Sequence, residues 1–314
     1  MADRYVPSSL QRAPPEALTT RVEKVLGRRW SAWSKPNTGL SAAHRFIVEL
    51  DDGARVFVKA ATTAETAVWL RNERQALAAA PAFAPREIGW IDDGDDSPIL
   101  IVEALVDAYW PAQPGGTRWR PGDLERVFSA VRALSEQKPL LTLPAGRREP
   151  TQGWTTILNA PVTFIGLGLC SARWLDRHGP ALAQAEAGLE WRGDAFVHGD
   201  MRSDNICLTD DCVKFVDWSN ARRGAKATDL ALFLPTAHLE GGPPPASVMA
   251  GGGPWAAQQS AELALRAISD TQAPEWLRRV LRRLARINLD WAIQDLSLPA
   301  RASVPRTPSA RKSG

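Results

Sequence analysis

The sequence VHGDMRSDN at residues 197–205, followed by KFVDW at residues 214–218, carries two carboxylates and a carboxamide at fixed offsets. These are Asp200, Asn205 five residues later, and Asp217 twelve residues after that. If the three side chains converge, they can bind a hard divalent cation and leave one carboxylate free as a base. Mg²⁺ prefers oxygen ligands and usually completes its shell with phosphate oxygens. The pattern therefore indicates a phosphate-handling site.

Two short apolar runs, residues 206–208 and 213–216, lie between these polar groups and are joined by Thr-Asp-Asp. This arrangement predicts a β-hairpin with a polar turn. A hairpin folds its two ends together, which would bring Asn205 at its mouth close to Asp217 just past its exit. The alternative is an ordinary polar hairpin mouth with solvated side chains, since Asp and Asn are common in turns.

The length and composition limit the class of protein. A chain of 314 residues suits one or two domains with a sizeable buried core. We find no stretch long enough to span a membrane, and residues 1–15 lack the apolar core of a signal peptide, so a cytoplasmic location is expected. The three cysteines, Cys170, Cys207 and Cys212, do not have zinc-ligand spacing.

The charge is concentrated at the C-terminus. The formal net charge is +3, but Arg301, Arg306, Arg311 and Lys312 all lie in the final Pro/Ser-rich segment, and the rest of the chain carries −1 without them. The basic balance is therefore a property of the tail, and no nucleic-acid-binding face is indicated. A segment of this composition is expected to be disordered.

The His-Gly-Asp motif, with Asn at the fifth position after the Asp and a later strand ending in Asp-Trp, resembles the aminoglycoside phosphotransferase family. This family is a branch of the kinase-like fold that includes the choline kinases. The resemblance implies that Asp200 is the catalytic base and that Asn205 and Asp217 are metal ligands. It also implies that Arg202, where many protein kinases have Lys, touches the transferred phosphate. His198 is expected to be structural and to hydrogen-bond the loop.

A second hairpin is predicted near the N-terminus, where residues 43–50 and 55–60 carry apolar side chains around an Asp-Asp-Gly turn. The polar loop at residues 37–42 precedes it and contains Gly39 and Ser41. A tight turn is the ordinary reason for a single Gly. The resemblance instead implies a phosphate-binding loop with Gly39 and Ser41 at the nucleotide. Both interpretations stay open.

The helix after this hairpin carries a carboxylate on its apolar stripe. Residues 62–65, Thr-Thr-Ala-Glu, have the capping-box signature of a helix start, and Glu73 falls on the apolar stripe. An inward carboxylate is costly unless it is paired, and Lys59 at the end of the preceding strand is the natural partner. In the kinase template this pair positions the nucleotide phosphates. The alternative is a solvated Lys59, with Glu73 at the edge of the stripe beside Arg71 or Arg74.

Two further strands are predicted at residues 88–91 and 99–102, separated by an acidic turn. The second strand runs into Glu103-Ala104-Leu105, which is the natural hinge between two lobes. The resemblance implies that backbone groups near Glu103 and Leu105 hydrogen-bond adenine, although a plain strand end has the same appearance.

From about residue 108 the pattern changes to helices joined by loops. Asp229 begins an Asp-Leu-Ala sequence that starts a helix in family members, and we predict it to be an N-cap with a structural role. The row of arginines between residues 278 and 286 is most simply a solvated helix face. Helices are predicted at residues 123–135, 174–191, 262–268 and 276–296.

The resemblance thus implies an α+β, bilobal protein-kinase-like fold, in which a small antiparallel sheet with one helix precedes a larger, mostly helical lobe. The predicted boundaries are a loose leader at residues 1–20, a nucleotide-binding N-lobe at 21–103, a catalytic and substrate-binding C-lobe at 104–298, and a disordered basic tail at 299–314.

The predicted function is ATP- and Mg²⁺-dependent transfer of the γ-phosphate to a hydroxyl of a small molecule, with GTP as an alternative donor. The acceptor classes are an aminoglycoside or another antibiotic, a sugar, a nucleoside or an amino alcohol, and an antibiotic acceptor would make the protein a resistance enzyme. Only eleven residues separate Asp217 from Asp229, too few for the activation segment that docks peptides in protein kinases. The alternative is a nucleotide-binding module of the same fold without phosphoryl transfer. No nucleic acid, membrane or protein partner is implied.

Overall fold

The computed structural model describes residues 13–36, 42–113, 115–146 and 151–301 of the chain. The chain divides into two compact units. The first comprises residues 1–146 and 192–230, and the second comprises residues 147–191 and 231–314. The predicted boundary between lobes at residues 103 and 104 stays a prediction.

The first unit contains all eleven strands of the described residues. Its helices are α1 (Glu16–Leu26), α2 (Ala64–Ala79) and α3 (Asp123–Ser135). Its strands are β1 (Trp30–Ser34), β2 (His44–Leu50), β3 (Arg55–Ala60), β4 (Glu87–Ile91), β5 (Ile99–Glu103), β6 (Ala112–Gln113), β7 (Gly116–Thr117), β8 (Ala195–Val197), β9 (Ile206–Leu208), β10 (Val213–Phe215) and β11 (Arg222–Gly224).

The main sheet is antiparallel and has the strand order β1-β2-β3-β5-β4. The predicted hairpin is present as β2 and β3, and the two further predicted strands are present as β4 and β5. Strand β1 was not predicted, because the sequence WSAWS shows no clear apolar alternation and its partner Leu50 lies twenty residues away. Helix α1 begins at Glu16, so the last residues of the predicted loose leader at residues 1–20 are helical.

One hydrophobic core joins this sheet to helix α1. The alternation of β2 places Phe46, Val48 and Leu50 on one face, as expected for a half-buried strand. The core comprises Leu18, Val22, Phe46, Val48, Leu50, Val56, Val58, Ala60, Ile99 and Ile101. The sheet is thereby fixed around β3, the strand that ends near Lys59.

The start of α2 differs from the prediction by one residue. Thr63 is the N-cap, and its side chain accepts a hydrogen bond from the Thr66 backbone amide. The reciprocal partner of the capping box is the Thr66 hydroxyl and not the Glu65 carboxylate, since Thr66 Oγ1 accepts from the Thr63 amide at 2.9 Å. The helix therefore begins with a capping box, as predicted, and its hydroxyl groups accept hydrogen bonds from the first free amides.

The second unit is helical in the residues that the structure describes. Its helices are α4 (Gly153–Asn159), α5 (Pro161–Gly166), α6 (Ala172–Ala187), α8 (Pro245–Val248), α9 (Gly253–Ser269) and α10 (Glu275–Asp295), and α7 (Thr228–Leu239) crosses the boundary in sequence. Buried Glu186 accepts hydrogen bonds from the backbone amides of Gly153 and Trp154, which fixes the start of α4. The short helices α4, α5 and α8 were not predicted from the sequence.

The terminal segments lie largely outside the described residues. Of the predicted leader, residues 1–12 are not described, and of the predicted tail, residues 302–314 are not described. Arg301 binds Asp290 with Nε 2.8 Å from Oδ1, so the described start of the tail is anchored to α10. Among the helices of the described ranges, none combines the length and apolarity needed to cross a membrane.

Candidate active site

Lys59 and Glu73 form a buried ion pair within the first unit. Lys59 lies near the end of β3 and Glu73 lies on the inward face of α2, and their side chains are 10% and 6% exposed. The Lys59 Nζ is 2.7 Å from Oε1 and 2.9 Å from Oε2 of Glu73. A buried charge must be paired to be tolerated, and here each group supplies the other's partner. The predicted contact between the two residues is therefore present.

Asp217 is the third member of this charged cluster. Its Oδ1 lies 3.3 Å from the Lys59 Nζ. The positive charge of Lys59 lowers the pKa of Asp217 below its ordinary value. Burial by itself would lower the pKa of Lys59, but the carboxylates of Glu73 and Asp217 outweigh it and raise that pKa. Lys59 is therefore a permanent cation, and Asp217 a permanent carboxylate, near neutral pH.

The backbone at Asp217 has an unusual conformation. Its φ and ψ angles are 66° and 61°, in the left-handed region that non-glycine residues seldom adopt. Asp and Asn are the non-glycine residues that enter this region most readily. Such a conformation persists where the surrounding structure holds it, and it is frequent at functional sites.

The predicted hairpin is present as β9 and β10, and it joins the regions of Asn205 and Asp217. Ile206 pairs with Phe215 and Leu208 with Val213. The backbone amide of Val216 donates to the carbonyl oxygen of Asn205 at 2.9 Å and closes the mouth of the hairpin.

The loop between β8 and the hairpin holds Asp200 by two side chains. Asn205 Nδ2 donates to the Asp200 backbone carbonyl at 2.9 Å and to Asp200 Oδ2 at 3.2 Å. Arg202 Nε lies 3.6 Å from Asp200 Oδ1. Burial raises the pKa of Asp200, and the charge of Arg202 opposes this rise. The carboxylate is therefore oriented on both oxygens.

Arg202 has a second and closer partner. Its Nε and one terminal nitrogen donate to Asp204 Oδ1 and Oδ2, both at 3.1 Å. The planar guanidinium thus binds the Asp204 carboxylate in a two-point contact. Any contact of Arg202 with a transferred phosphate stays a prediction.

His198 has the structural role expected for it. The ring is fully buried, and burial lowers its pKa to about 4. The backbone amide of Asp200 donates to Nδ1 at 3.3 Å, and Nε2 lies 3.1 Å from the carbonyl oxygen of Val216. A neutral ring with the proton on Nε2 satisfies both contacts. His198 therefore links the loop of Asp200 to the strand that leads to Asp217.

Asp229 is also structural, but it is not the N-cap that we predicted. It is the second residue of α7, and its carboxylate accepts the backbone amides of His198 at 2.6 Å and Gly199 at 2.8 Å. Burial raises the pKa of Asp229 to about 6, although these two amide donors oppose the rise. The N-cap prediction was wrong because the partners lie about thirty residues away, beyond the range of a local capping signal.

Gly199 is required where the loop turns. Its φ is +82°, and a Cβ there would meet Asn220 O at 2.5 Å and the Arg222 guanidinium closer still. The motif glycine thus permits both the positive φ and the close approach of the segment after Asp217.

The donor set of Asp217 and Asn205 fits Mg²⁺. An ionised carboxylate and an amide oxygen are hard ligands, and Mg²⁺ commonly uses only one or two protein ligands together with phosphates and water. The two hydrogen bonds of the Asn205 Nδ2 fix the amide so that Oδ1 is the atom left for a cation. Across the described ranges, no group of three or more His, Cys, Asp or Glu side chains forms a metal site.

The remaining predicted nucleotide-binding residues are placed as follows. Gly39 and Ser41 lie outside the described residues. The Glu103 backbone amide donates to Arg86 O at 2.9 Å within the sheet, and the Leu105 carbonyl accepts the Trp110 indole N–H at 3.0 Å. These bonds occupy one backbone group of each residue, and the binding of adenine stays a prediction.

Sequence reasoning missed two contacts of the site, those of Asp204 and of Asn72. Asp204 lies inside the motif, and only its ion pair with Arg202 shows that it takes part in the contacts of the site. Asn72 precedes Glu73 and donates to the carbonyl oxygens of Ser219 and Ala221. Its polar side chain beside an inward-facing Glu was the available signal.

Solved structures share this fold. Spectinomycin phosphotransferase APH(9)-Ia, in complex with ADP and spectinomycin, aligns with a TM-score of 0.59 and 10% identity over 89% of this chain and 98% of its own. A thermostable mutant of aminoglycoside phosphotransferase APH(4)-Ia, with ADP and hygromycin B, aligns with a TM-score of 0.53 and 12% identity over 89% and 98%. A Thermobifida fusca protein with a provisional fructosamine-3-kinase assignment aligns with a TM-score of 0.54 and 21% identity over 88% of this chain and 100% of its own.

These likenesses confirm the predicted α+β, protein-kinase-like fold. No protein-family model matches the chain, and no curated protein sequence matches it. The similarity that these comparisons show therefore lies in the fold.

Proposed function

We propose that the protein is an ATP- and Mg²⁺-dependent phosphotransferase that moves the γ-phosphate to a hydroxyl of a small molecule, with Asp200 as catalytic base. The observation that carries the proposal is the set of contacts inside one compact unit. Lys59 pairs with Glu73 at 2.7 Å and with Asp217 at 3.3 Å, while Asn205 holds the Asp200 carboxylate at 3.2 Å. The fold shared with two ADP-bound phosphotransferases supports nucleotide use.

Lys59 would neutralise the phosphates of the nucleotide. Its charge is fixed by two carboxylates, and Glu73 holds the ammonium group at a set position. Phosphoryl transfer depends mainly on positioning and on neutralisation of charge, so a preformed cation lowers the cost of reaching the transition state.

Asn205 and Asp217 would hold the metal. When bound, Mg²⁺ supplies charge neutralisation at the phosphate oxygens. The chain contributes the deprotonated Asp217 carboxylate and the oriented Asn205 amide, and Arg202 contributes a further positive charge next to Asp200.

Asp200 would orient the acceptor hydroxyl and accept its proton. One carboxylate oxygen is bound by Asn205 and the other lies beside Arg202, so the group is held in one orientation. The raised pKa of Asp200 brings it closer to that of an effective base near neutral pH.

The acceptor class stays broad. The structural neighbours include a spectinomycin phosphotransferase, a phosphotransferase in complex with hygromycin B and a protein with a provisional fructosamine-3-kinase assignment. We therefore propose an antibiotic, a sugar, a nucleoside or an amino alcohol as acceptor. A cytoplasmic location stays a prediction from the sequence.

A panel of acceptors tests this proposal. ADP release from ATP and Mg²⁺ is measured with aminoglycosides, other hydroxylated antibiotics, sugars, nucleosides and choline-like alcohols. Acceptor-dependent release is the expected result, and the active compound names the substrate class. The second candidate function is a nucleotide-binding module of the same fold, which would bind ATP and remain silent with every acceptor. The intact set Lys59, Glu73, Asp200, Asn205 and Asp217 argues against it.

A further inference from the structure

Asn72 connects α2 to the segment that follows Asp217. Its Nδ2 donates to the carbonyl oxygen of Ser219 at 2.8 Å and to that of Ala221 at 2.9 Å. An amide nitrogen carries two hydrogens, so both donors of Asn72 are used on this one segment. The two carbonyls lie two and four residues beyond Asp217.

Glu73, the next residue of the helix, faces the same segment. The Glu73 carboxylate, which holds Lys59, has a pKa raised by burial, and the backbone N–H of Trp218 opposes this rise. Two consecutive residues of α2, Asn72 and Glu73, thus face the segment 218–221. Trp218 itself is fully buried, which further fixes this part of the chain.

These contacts lie next to the unusual backbone conformation of Asp217. On its N-terminal side, the Val216 amide is bonded to Asn205 O. On its C-terminal side, Asn72 of α2 donates to the carbonyl oxygens of Ser219 and Ala221. A residue held in a sparsely populated conformation relies on such surroundings to stay there.

We propose that Asn72 is a positioning residue for Asp217: by binding Ser219 O and Ala221 O it fixes the segment after Asp217 to α2, and thereby holds the Asp217 carboxylate at the metal position. This inference rests on the proposed function, because the metal role of Asp217 belongs to it. Residues that orient a metal ligand typically change metal affinity or activity 10- to 100-fold when they are replaced.

Arg126 provides a matched control, because it anchors a loop to a helix without contacting the segment after Asp217. Arg126 on α3 donates to Thr209 O at 2.7 Å and to Asp210 O at 3.2 Å, and so ties a helix to the turn of the β9–β10 hairpin. This turn contains no predicted site residue. Arg126→Ala therefore removes a comparable anchor without touching the proposed metal position.

The experiment compares Asn72→Ala and Asn72→Asp with Arg126→Ala and the unchanged protein. The Asp variant keeps the shape of Asn and removes both donors. Calorimetry measures binding of the non-hydrolysable analogue AMP-PNP without metal and as a function of Mg²⁺ concentration, and thermal unfolding is followed in parallel. We expect both Asn72 variants to need a Mg²⁺ concentration roughly tenfold or more higher for half-maximal enhancement of AMP-PNP binding. Their affinity for AMP-PNP without metal should stay within about twofold of that of the unchanged protein. Arg126→Ala should lower the unfolding temperature and leave the Mg²⁺ requirement unchanged.

An unchanged Mg²⁺ requirement in both Asn72 variants, with a loss of thermal stability like that of Arg126→Ala, would make Asn72 a loop anchor only. A normal requirement in Asn72→Asp with a raised one in Asn72→Ala would show that shape matters and the hydrogen bonds do not, which also overturns the inference. If the unchanged protein binds AMP-PNP with no Mg²⁺ effect, the metal assignment of the proposed function fails, and that result is distinct from the other two.

Discussion

The Lys59 ammonium group lies 2.7 Å from the Glu73 carboxylate, and both side chains are almost completely buried. Asp217 is a second partner of Lys59, but it lies farther away, at 3.3 Å, and its side chain is more exposed than that of Glu73. The pair therefore contributes to the stability of the first unit, and its proposed role at the nucleotide can be separated from that contribution by experiment.

Lys59→Met should destabilise the protein by about 3–5 kcal/mol, because it leaves the Glu73 carboxylate buried without its partner. The double variant Lys59→Met with Glu73→Gln should recover much of that free energy of unfolding, since no buried charge remains. Neither variant should support turnover. Urea unfolding measures the first effect, and Lys24→Met on the exposed face of α1 is the control, expected within about 0.5 kcal/mol of the unchanged protein. Equal stability of the single and double variants would contradict this account.

His198 should make stability depend on pH. Burial lowers its pKa from 6.5 to about 4, so between these values the unfolded chain binds more protons than the folded chain. Its contribution to the free energy of unfolding therefore rises with pH through this window and is complete above it, and at pH 5 roughly 2 kcal/mol of it is lost.

The measurement compares the unchanged protein with His198→Gln by urea unfolding at pH 5 and pH 7. Asp229, with a pKa raised to about 6, gives the opposite slope in acid, so only the difference between the two proteins isolates His198. We expect His198→Gln to lose less stability on acidification. Identical pH dependence in both proteins would contradict the buried, neutral ring.

Asp229→Asn should weaken the loop of Asp200. It replaces one acceptor of the His198 or Gly199 amide by a donor, and an unsatisfied buried amide costs about 1–3 kcal/mol. We expect a loss of this size in the free energy of unfolding and a fall in kcat larger than any change in the KM for ATP. Asp211→Asn, in the exposed hairpin turn, is the matched control and should change neither quantity.

Arg202→Met should shift the pH–rate profile. The charge of Arg202 opposes the burial that raises the pKa of Asp200, so its removal should raise that pKa further. Because a base must be deprotonated, the acidic limb of kcat/KM should move to higher pH. A shift in the other direction, or none, would show that Arg202 does not act on Asp200.

The hairpins were predictable from local sequence, whereas several contacts of the site were not. The turn around Gly53 and the polar turn before Val213 follow short-range rules, and both are present where expected. The pairing of Lys59 with Glu73 was predictable because an inward carboxylate demands a cation. The capping partner Thr66 was missed by one position, since several hydroxyl residues compete at that helix start.

Other features depend on distant parts of the chain. Asp229 has the sequence signature of an N-cap, yet its carboxylate oxygens accept hydrogen bonds from the backbone amides of His198 and Gly199. No local sequence pattern indicates these partners. Helix α9 begins at Gly253, nine residues before the predicted start, because glycines that normally indicate a loop pack there against α10. Burial and tertiary contact decided these cases over intrinsic propensity.

The role of Asp200 is the central claim, and one comparison tests it most directly. Asp200→Asn keeps the shape of the side chain and removes the base. With an acceptor that supports turnover, we predict a loss of ADP release by about 10²–10⁴-fold while ATP binding in the presence of Mg²⁺ stays unchanged. An Asp200→Asn protein that retains full turnover would contradict the account.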